Sequence, residues 1–478
     1  MNQLSRKTFS IPVRDIHILQ FGEGNFLRAF VDNFIQVLND QSLINSNICV
    51  VQPVAFGRVK ELSLQDGLYT LFLEGMQDGQ IVKTHRIIDV LSDFINPYTQ
   101  LDAYLSYARN PKLQVIFSNT TEAGIVFVEE LISSTSTPDS FPGKLLLFLL
   151  ERFHTFQGSK DVGLDIVACE LIDHNGDELK RVLLELAHYN NLSDDFIRWV
   201  KESNRFYNTL VDRIVPGYPK DNSTELAEQL GYLDHSMVKG EIFHLWVIEG
   251  PTNLQKILPF EQSGQQVFYV DSIQPYKQRK VKILNGSHTA LVPIAYLMGE
   301  RFVKESIETP LINQFIKQFV FQEVVPTISL PEAEMTSFAT SVFERYQNPF
   351  VKHQLLSIAL NSISKFKSRI LPTIIDFHQQ GGFPKHALFA FAALLVFYKG
   401  VTHDLQTIPL QDEERFLVLF SRLWALNNIS ELVHGVVSLE FFECEYLQSQ
   451  EVVQFLIHHV SEIVSKGMAS ALQNFLKG

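Results

Sequence analysis

An α/β fold is predicted, with a doubly wound N-terminal domain over residues 1–273 and a mainly α-helical C-terminal domain over 274–478. Three observations predict it. A short apolar strand at 16–21, IHILQF, runs into the turn GEGN and then into a helical pattern. Apolar strands and amphipathic helices alternate after it, as a parallel sheet with crossover helices requires. From about residue 274 the pattern is helical to the end, and the polar stretch EQSGQQ at 261–266 precedes the change.

The length of 478 residues calls for two or three domains. Hydrophobic residues at 46% and charged residues at 19% fit a compact chain rather than a disordered one. The net charge of -13 argues against nucleic acid as a partner, since no basic field meets phosphates. Cys49, Cys169 and Cys444 are scattered and show no CxxC spacing, so neither disulfides nor a metal site is expected. The N-terminus has no apolar leader core and no 18-residue apolar run follows, so no membrane partner and a cytoplasmic location are expected. A monomer or small homo-oligomer is expected.

In the opening turn, Gly22 and Gly24 let the backbone approach a pyrophosphate, which the N-terminus of the helix FLRAFVDNFIQVL then holds. Strand, Gly-x-Gly turn and helix make this a Rossmann-like opening, with Gly22, Glu23, Gly24, Asn25, Phe26 and Arg28 as candidate cofactor residues. Leu27 stands where a third glycine is usual. A second strand, Ile48–Gln52, ends in Gln52 and Pro53, where an Asp or Glu normally binds the adenosine ribose. Arg58 is close by, so NADP stays open beside NAD(H).

QDGLYTLFLEG at 65–75 reads as turn and strand, pairing with 81–90 as a hairpin, and 101–110 is helical. The strand Leu113–Phe117 runs into Ser118, Asn119, Thr120, Thr121 and Glu122. Loops at the C-terminal ends of strands meet ligands in doubly wound sheets, so Asn119, Thr120, Thr121 and Glu122 join the cofactor candidates. The alternative is a helix N-cap at Thr121. A helix at 143–156, a strand at 165–170, helices at 174–189 and 193–203, and a strand at 241–250 continue the alternation.

The most informative stretch is 277–299, KQRKVKILNGSHTALVPIAYLMG. On an α-helix at about 100° per residue, His288 lies about 80° and Asn285 about 140° from Lys280. Val281, Leu284, Leu291 and Ala295 share that arc, so the face is expected to be apolar and buried. A lysine on such a face loses hydration, which disfavours its charged form and suits proton transfer near neutral pH. Asn285 and His288 can each donate a hydrogen bond to a polarised carbonyl oxygen or an alkoxide. Such a set can oxidise an alcohol or reduce a ketone without a metal; on spacing alone, a surface lysine, a capping Asn and a satisfied core histidine are the plainer alternative.

Residues 345–372 concentrate Arg345, Lys352, His353, Lys365, Lys367 and Arg369 in an otherwise acidic chain. This density of cations suits a carboxylate, for which Arg is the better bidentate donor. A solvated helix face is the plainer alternative. The helices HALFAFAALLVFYKG and ERFLVLFSRLWAL read as packing elements.

Together these motifs resemble the mannitol dehydrogenase family of long-chain, metal-independent polyol dehydrogenases. The matching elements are Gly22-x-Gly24-x-Phe26-x-Arg28, QDGLYT, VDRI at 211–214, WVIE at 246–249, Lys280-x4-Asn285-x2-His288 and Arg345-x-x-Asn348-Pro349. They occur in the family's order over roughly residues 16–372. The phrases CELIDHNGD, LVDRIVPGYP and NPFVKHQLLSIALNS are similar to a uronate branch of that family. The resemblance implies NAD(H)-linked interconversion of D-altronate and D-tagaturonate in hexuronate breakdown. It implies Lys280 as acid and base, with Asn285 and His288 stabilising the alkoxide. It also implies Asp212, Arg345, Asn348, Lys352 and His353 as substrate residues, with the active site between the domains. Fructuronate or a sugar alcohol on the same scaffold, and a nucleotide-binding protein without turnover, are the alternatives. One departure is Leu171, where mannitol-type members carry an oxyanion Asn. Either Asn285 and His288 suffice, or a group such as Glu170 or Asn175 contributes.

Overall fold

The strand Ile16–Phe21 (β1) alternates its side chains between two apolar layers, and both layers are closed to solvent. Ile18 joins one core cluster, while Leu19 and Phe21 join another. Ile48 and Val50 of the next strand side with Ile18, and Cys49 and Val51 with Leu19. Strands buried on both faces are the signature of a sheet covered by helices on each side. The computed structural model describes residues 1–478 except Ser10, Val13 and Glu122.

Among the described residues the main sheet has eight strands: β1, β2 (Asn47–Val51), β3 (Leu91–Ile95), β4 (Val115–Ser118), β5 (Asp165–Ala168), β6 (Arg205–Asp212), β7 (Leu245–Glu249) and β8 (Val267–Val270). Their spatial order is 8-7-6-5-4-1-2-3. Strands β1 to β6 pair in parallel, in the doubly wound order 3-2-1-4-5-6. Strand β7 is antiparallel to β6, and β8 is parallel to β7. The order reverses between β1 and β4, so their C-terminal ends open the crevice in which such sheets bind ligands. A smaller sheet sets Tyr69–Gln77 between Val238–Glu241 and Gln80–Ile88.

Several elements depart from the sequence reading. Strand β6 was not expected, because its NTLVD end mixes polar residues into a buried strand; Asn208, Thr209 and Asp212 are all buried there. Strands β3 and β8 were also not expected; each is short and β8 follows a polar stretch. The first helix is not continuous. It forms α1 (Asn25–Ala29) and α2 (Val31–Asp40), broken at Phe30, whose φ of -123° and ψ of -86° leave the helical region. No helix begins at Thr121, which adopts a left-handed conformation with φ 76°.

The chain forms two compact units, Met1–Glu74 with Val82–Ile273, and Gly75–Ile81 with Gln274–Gly478. Residues 75–81, which the sequence division leaves in the first domain, belong to the second unit. Their turn is tied there by the Gly79 N–H, which donates to Glu344 Oε1 at 2.8 Å.

The second unit is helical: α3 (Gly286–Leu297), α4 (Glu332–Tyr346), α5 (Ser362–Arg369) and α6 (Lys385–Phe397) build its centre. Every residue from His386 to Phe397 is buried, as expected of a helix that is apolar all round. The Glu323 carboxylate caps it, accepting from the N–H groups of His386 and Ala387 at 2.8 and 2.9 Å and meeting His386 Nδ1 at 2.7 Å. A buried carboxylate at a helix N-terminus satisfies donors that have no partner within the helix. No helix among the described residues is long and apolar enough to cross a membrane.

Beneath the Gly22 turn lies a buried polar cluster. Arg28 donates to Ser236 O and to Asn25 Oδ1, and Tyr69 lies under its guanidinium. Tyr69 Oη sits 2.8 Å from Arg28 O and 2.9 Å from Asp32 Oδ2. One hydroxyl hydrogen serves only one of these acceptors. A neutral Asp32 that donates to Tyr69 Oη resolves the conflict, and burial pushes the Asp32 carboxyl up to about 7. Stability from the neutral carboxyl is complete below about pH 4 and is lost as pH rises toward 7, because the unfolded chain releases the proton first. Asp32→Asn keeps a donor and never ionises. It is expected to gain on the wild type by up to about 4 kcal/mol between about pH 4 and pH 8. Urea unfolding at the two pH values measures this, and an equal gap at both would show Asp32 to be ionised in the folded chain.

Candidate active site

The Lys280–Asn285 segment is a π-helix, preceded by the α-helix Gln274–Arg279 and followed by α3. A π turn bonds residues five apart, so positions i and i+5 lie about 50° from each other around the axis instead of about 140°. Lys280 and Asn285 have that spacing. The arc drawn from a uniform α-helix is therefore corrected: the wide turn brings Lys280 and Asn285 together, and α spacing resumes from Asn285 to His288. The Gly286 N–H reaches both Ile283 O and Val281 O, the second of these five residues back.

A wide turn displaces carbonyls, and side chains cover them here. Tyr346 Oη donates to Leu284 O at 2.9 Å and meets Ser287 Oγ at 2.6 Å. Ser287 Oγ also bonds to Ile283 O. From the other side, buried Lys282 donates to Asp376 Oδ2 at 2.6 Å and to Thr327 Oγ1 at 3.0 Å. Gly286 admits the end of α5, since a Cβ there would stand 3.1 Å from Arg369 O. The supports from Tyr346, Asp376 and Thr327 were not visible in the sequence, because each of these partners lies 40 or more residues away.

Lys280 is half-buried rather than buried. Asn285 is also half-buried, and its side-chain amide makes no hydrogen bond among the described residues. His288 packs its ring on Tyr346, with centroids 4.4 Å apart, and meets the His353 ring edge-on at 5.3 Å. Its Nε2 is buried with no hydrogen-bond partner among the described residues. Burial, reinforced by the positive groups His353, Arg345 and Arg369, holds the His288 imidazole well below the usual range. The ring is thus neutral at physiological pH and has one N–H to give.

The cationic run does not act as one patch. Lys367 pairs with Glu443 at 3.0 Å, and Lys365 donates to Ile358 O at 2.8 Å. Lys352 is exposed, while Arg345 and His353 are half-buried. Asn348 is buried, and its Oδ1 accepts from Phe350 N–H at 2.9 Å, folding the turn through Pro349. That contact makes it a turn-forming residue, which sets it apart from the other substrate candidates.

In the first unit, Gly22 follows β1 with φ 120°, and a Cβ there would lie 3.0 Å from Asn119 O. The Gly22 turn and the Asn119 loop thus close on each other at the switch between β1 and β4. A Cβ on Gly24 would meet nothing within 4 Å, which leaves open space on that side of the turn. This suits a pyrophosphate, although the helix behind it, α1, has only five residues. Arg28, a cofactor candidate in the sequence, is buried and holds the turn from below. Asn25 contributes to that support, and Phe26 stacks on Phe30 at 4.8 Å.

A cavity of about 660 Å³ lies beyond β2, lined by Gln52, Phe56, Arg58, Asn96 and Gln100 among others. Gln52 Nε2 donates to Val54 O at 2.8 Å and Ala55 O at 3.1 Å, and Glu23 Oε1 accepts from Arg58 N–H at 2.9 Å. The Arg58 guanidinium pairs with Glu61 at 2.7 Å.

Sequence reasoning gave Glu170 and Asn175 a possible oxyanion role; both are already engaged. Glu170 is buried and accepts from Ser118 Oγ, Thr120 N–H and Thr120 Oγ1 at 3.0–3.1 Å. Asn175 Nδ2 bonds to Glu170 O at 2.9 Å and its Oδ1 accepts from Thr209 N–H at 2.8 Å. Asn119 Nδ2 donates to Cys169 O at 2.6 Å. Glu170 therefore orders the Asn119–Thr120 loop, a supporting role the sequence did not suggest. Leu171 is 64% exposed, and Asp212 ends β6 in the first unit. Glu122 lies outside the described residues.

Two domain descriptions match the chain: the mannitol dehydrogenase Rossmann domain over residues 16–262 and the mannitol dehydrogenase C-terminal domain over 272–464. The altronate oxidoreductase of Yersinia enterocolitica serotype O:8 is 43% identical over 483 residues, covering 99% of each chain. That of Escherichia coli O7:K1 is 40% identical over 481 residues, again covering 99% of each. A solved D-sorbitol dehydrogenase in substrate-free form has the same fold, with TM-score 0.82 at 22% identity over 99% of this chain and 100% of that one. Pseudomonas fluorescens mannitol 2-dehydrogenase, in a ternary complex with NAD and D-mannitol, gives 0.65 at 23% over 97% and 95%. With both domains matched and relatives at 40–43% identity from end to end, the chain belongs to the mannitol dehydrogenase family of oxidoreductases.

Proposed function

We propose that the protein is a tagaturonate reductase, interconverting D-tagaturonate and D-altronate with NAD(H). The observation that carries the chemistry is the placement of three donors on one wide turn and the helix after it. Lys280 and Asn285 stand a π turn apart, and the buried Nε2 of neutral His288 follows. The substrate assignment draws on the full-length similarity to altronate oxidoreductases.

In reduction, the ketone oxygen accepts hydrogen bonds from Asn285 Nδ2 and His288 Nε2–H. When bound, the nicotinamide supplies the hydride, and the C=O electron pair moves to oxygen. Donors already fixed where negative charge develops lower the barrier without reorganising. The Lys280 ammonium then gives its proton to that oxygen, which completes the alcohol. In oxidation Lys280 takes the proton back. Arg345, Lys352 and His353 serve the remaining polar groups of the substrate. Glu170 and Asn175 are held by neighbouring groups, so we assign the oxyanion role to Asn285 and His288.

Three features favour NAD over NADP. The Gln52 amide is turned to its own loop, Arg58 is already paired with Glu61, and the Glu23 carboxylate lies against the Arg58 N–H. A 2′-phosphate would meet this acid without a free guanidinium to hold it.

Lys280→Ala is expected to lower kcat by about 10²–10⁴-fold while NADH binding is retained, measured by stopped-flow turnover and fluorescence titration; near-wild-type turnover would remove Lys280 from the mechanism. Across tagaturonate, fructuronate and fructose, tagaturonate with NADH is expected to be fastest and NADPH slower. Preference for uncharged fructose would overturn the uronate reading.

His288 yields the pH prediction. Its pKa is depressed far below the assay range, so it does not titrate there. His288→Gln is expected to lower kcat/KM by about 10²-fold, and by the same factor at both ends of the assay range. A factor that changes with pH would show the imidazole titrating.

A further inference from the structure

We propose that Arg369 is the carboxylate-binding residue of the substrate site and sets the preference for sugar acids over neutral ketoses. The inference rests on the functional reading above and picks out one residue from the cationic run at 345–372, outside the family motifs.

Helix α5 ends at Arg369 against the first turn of α3, where Gly286 leaves room for the Arg369 carbonyl. The Arg369 side chain then runs beside α3, and Nη1 lies 3.5 Å from Thr289 Oγ1. The Thr289 hydroxyl hydrogen goes to Asn285 O at 2.8 Å, so its oxygen faces the guanidinium as an acceptor. Arg369 is thereby placed on the residue next to His288, beside the backbone of Asn285. Its positive charge is one of those acting on the His288 ring.

How the guanidinium is satisfied sets Arg369 apart. Elsewhere in this chain, withdrawn cations have partners. Arg205 meets Asp165 at 2.6 Å, and Lys282 meets Asp376 at 2.6 Å. Buried Arg152 has no acid among the described residues, but it donates to the carbonyls of Val162, Ala108, Asn110 and Leu113. Arg213 likewise donates to Ala29 O and Phe243 O. Arg369 is half-buried, and among the described residues it has one long contact and no carboxylate partner. A guanidinium has five donors in a planar fork that fits a carboxylate on two bonds. A withdrawn charge without a counter-ion is unfavourable, and an anionic ligand relieves it.

Chemistry narrows the ligand. Asn285 and His288 engage the ketone oxygen of the same molecule. The anion is therefore the carboxylate of a substrate that carries both groups, which describes a keto-uronate. Lys367, the neighbour of Arg369 in the cationic run, is excluded by its pairing with Glu443.

The test compares Arg369→Met and Arg369→Lys with the wild type on tagaturonate and on fructose, with NADH affinity measured alongside. Arg369→Met is expected to raise KM for tagaturonate by about 100-fold. Its NADH affinity stays unchanged, its activity on fructose changes far less than that on tagaturonate, and Arg369→Lys recovers part of the KM. An unchanged KM for tagaturonate, or equal losses on both substrates, would overturn the assignment. The wild-type arm separates the two readings. If the wild type reduces tagaturonate and the Met variant keeps its KM, only the Arg369 role falls. If the wild type reduces fructose but no uronate, the functional reading falls and Arg369 with it.

Discussion

The second unit is arranged around a hydrogen-bond register. Between Lys280 and Asn285 the helix makes π turns, and this one irregularity decides which side chains share a face. Such turns are rare, because the α register is ordinarily the more favourable one. Here long-range contacts offset that difference. Tyr346 and Ser287 supply donors to the displaced carbonyls, and Lys282 is anchored in Asp376 and Thr327. Gly286 then lets α5 approach closely enough to bring Arg369 alongside. Removing any one support leaves a buried polar group without its partner, which is what makes the arrangement rigid.

The first unit holds its ligand loops by a related device, a carboxylate buried behind them. Glu170 receives the backbone and hydroxyl of Thr120 and the hydroxyl of Ser118, and burial raises its pKa. Asn175 ties the loop after β5 to β6. These bonds leave both side chains little freedom to serve a substrate oxygen. The polar residues around Leu171 therefore read as scaffolding. In the second unit, by contrast, the His288 Nε2 is buried with no hydrogen-bond partner among the described residues.

Much of this was legible from the sequence. The Gly-x-Gly turn, the alternation of strands and helices, and the change to an all-helical pattern express local chemistry and periodicity. The Lys–Asn–His spacing was legible as well, but its geometry was not. A periodicity argument assumes one residue angle throughout, and a π turn changes that angle because of partners distant in the chain. Strand β6 escaped notice for a related reason: Asn208 and Thr209 look like loop residues until their bonds to Asp177 and Asn175 are seen. The break at Phe30 left no Pro or Gly signal. In the cationic run, Lys367 and Arg369 look alike in sequence; the difference arises from Glu443, 76 residues beyond Lys367.

The electrostatics of the His288 region follow from these placements. The chain carries a net charge of -13, which at long range opposes an anionic substrate. Salt screens that repulsion within about 8 Å at physiological ionic strength. Under the proposed function, selection for an acid is therefore local, and we assign it to Arg369, which has no carboxylate partner among the described residues. A charged imidazole near it would add repulsion between neighbours and forfeit its place as a buried donor. Holding His288 neutral keeps its N–H for the oxygen that becomes negative and leaves the guanidinium charge for the carboxylate. In the proposed reading, one end of a keto acid then meets neutral donors and a proton source, and the other meets a positive fork. A neutral ketose satisfies only the first, leaving the withdrawn guanidinium without its counter-ion, which is the asymmetry from which acid specificity arises.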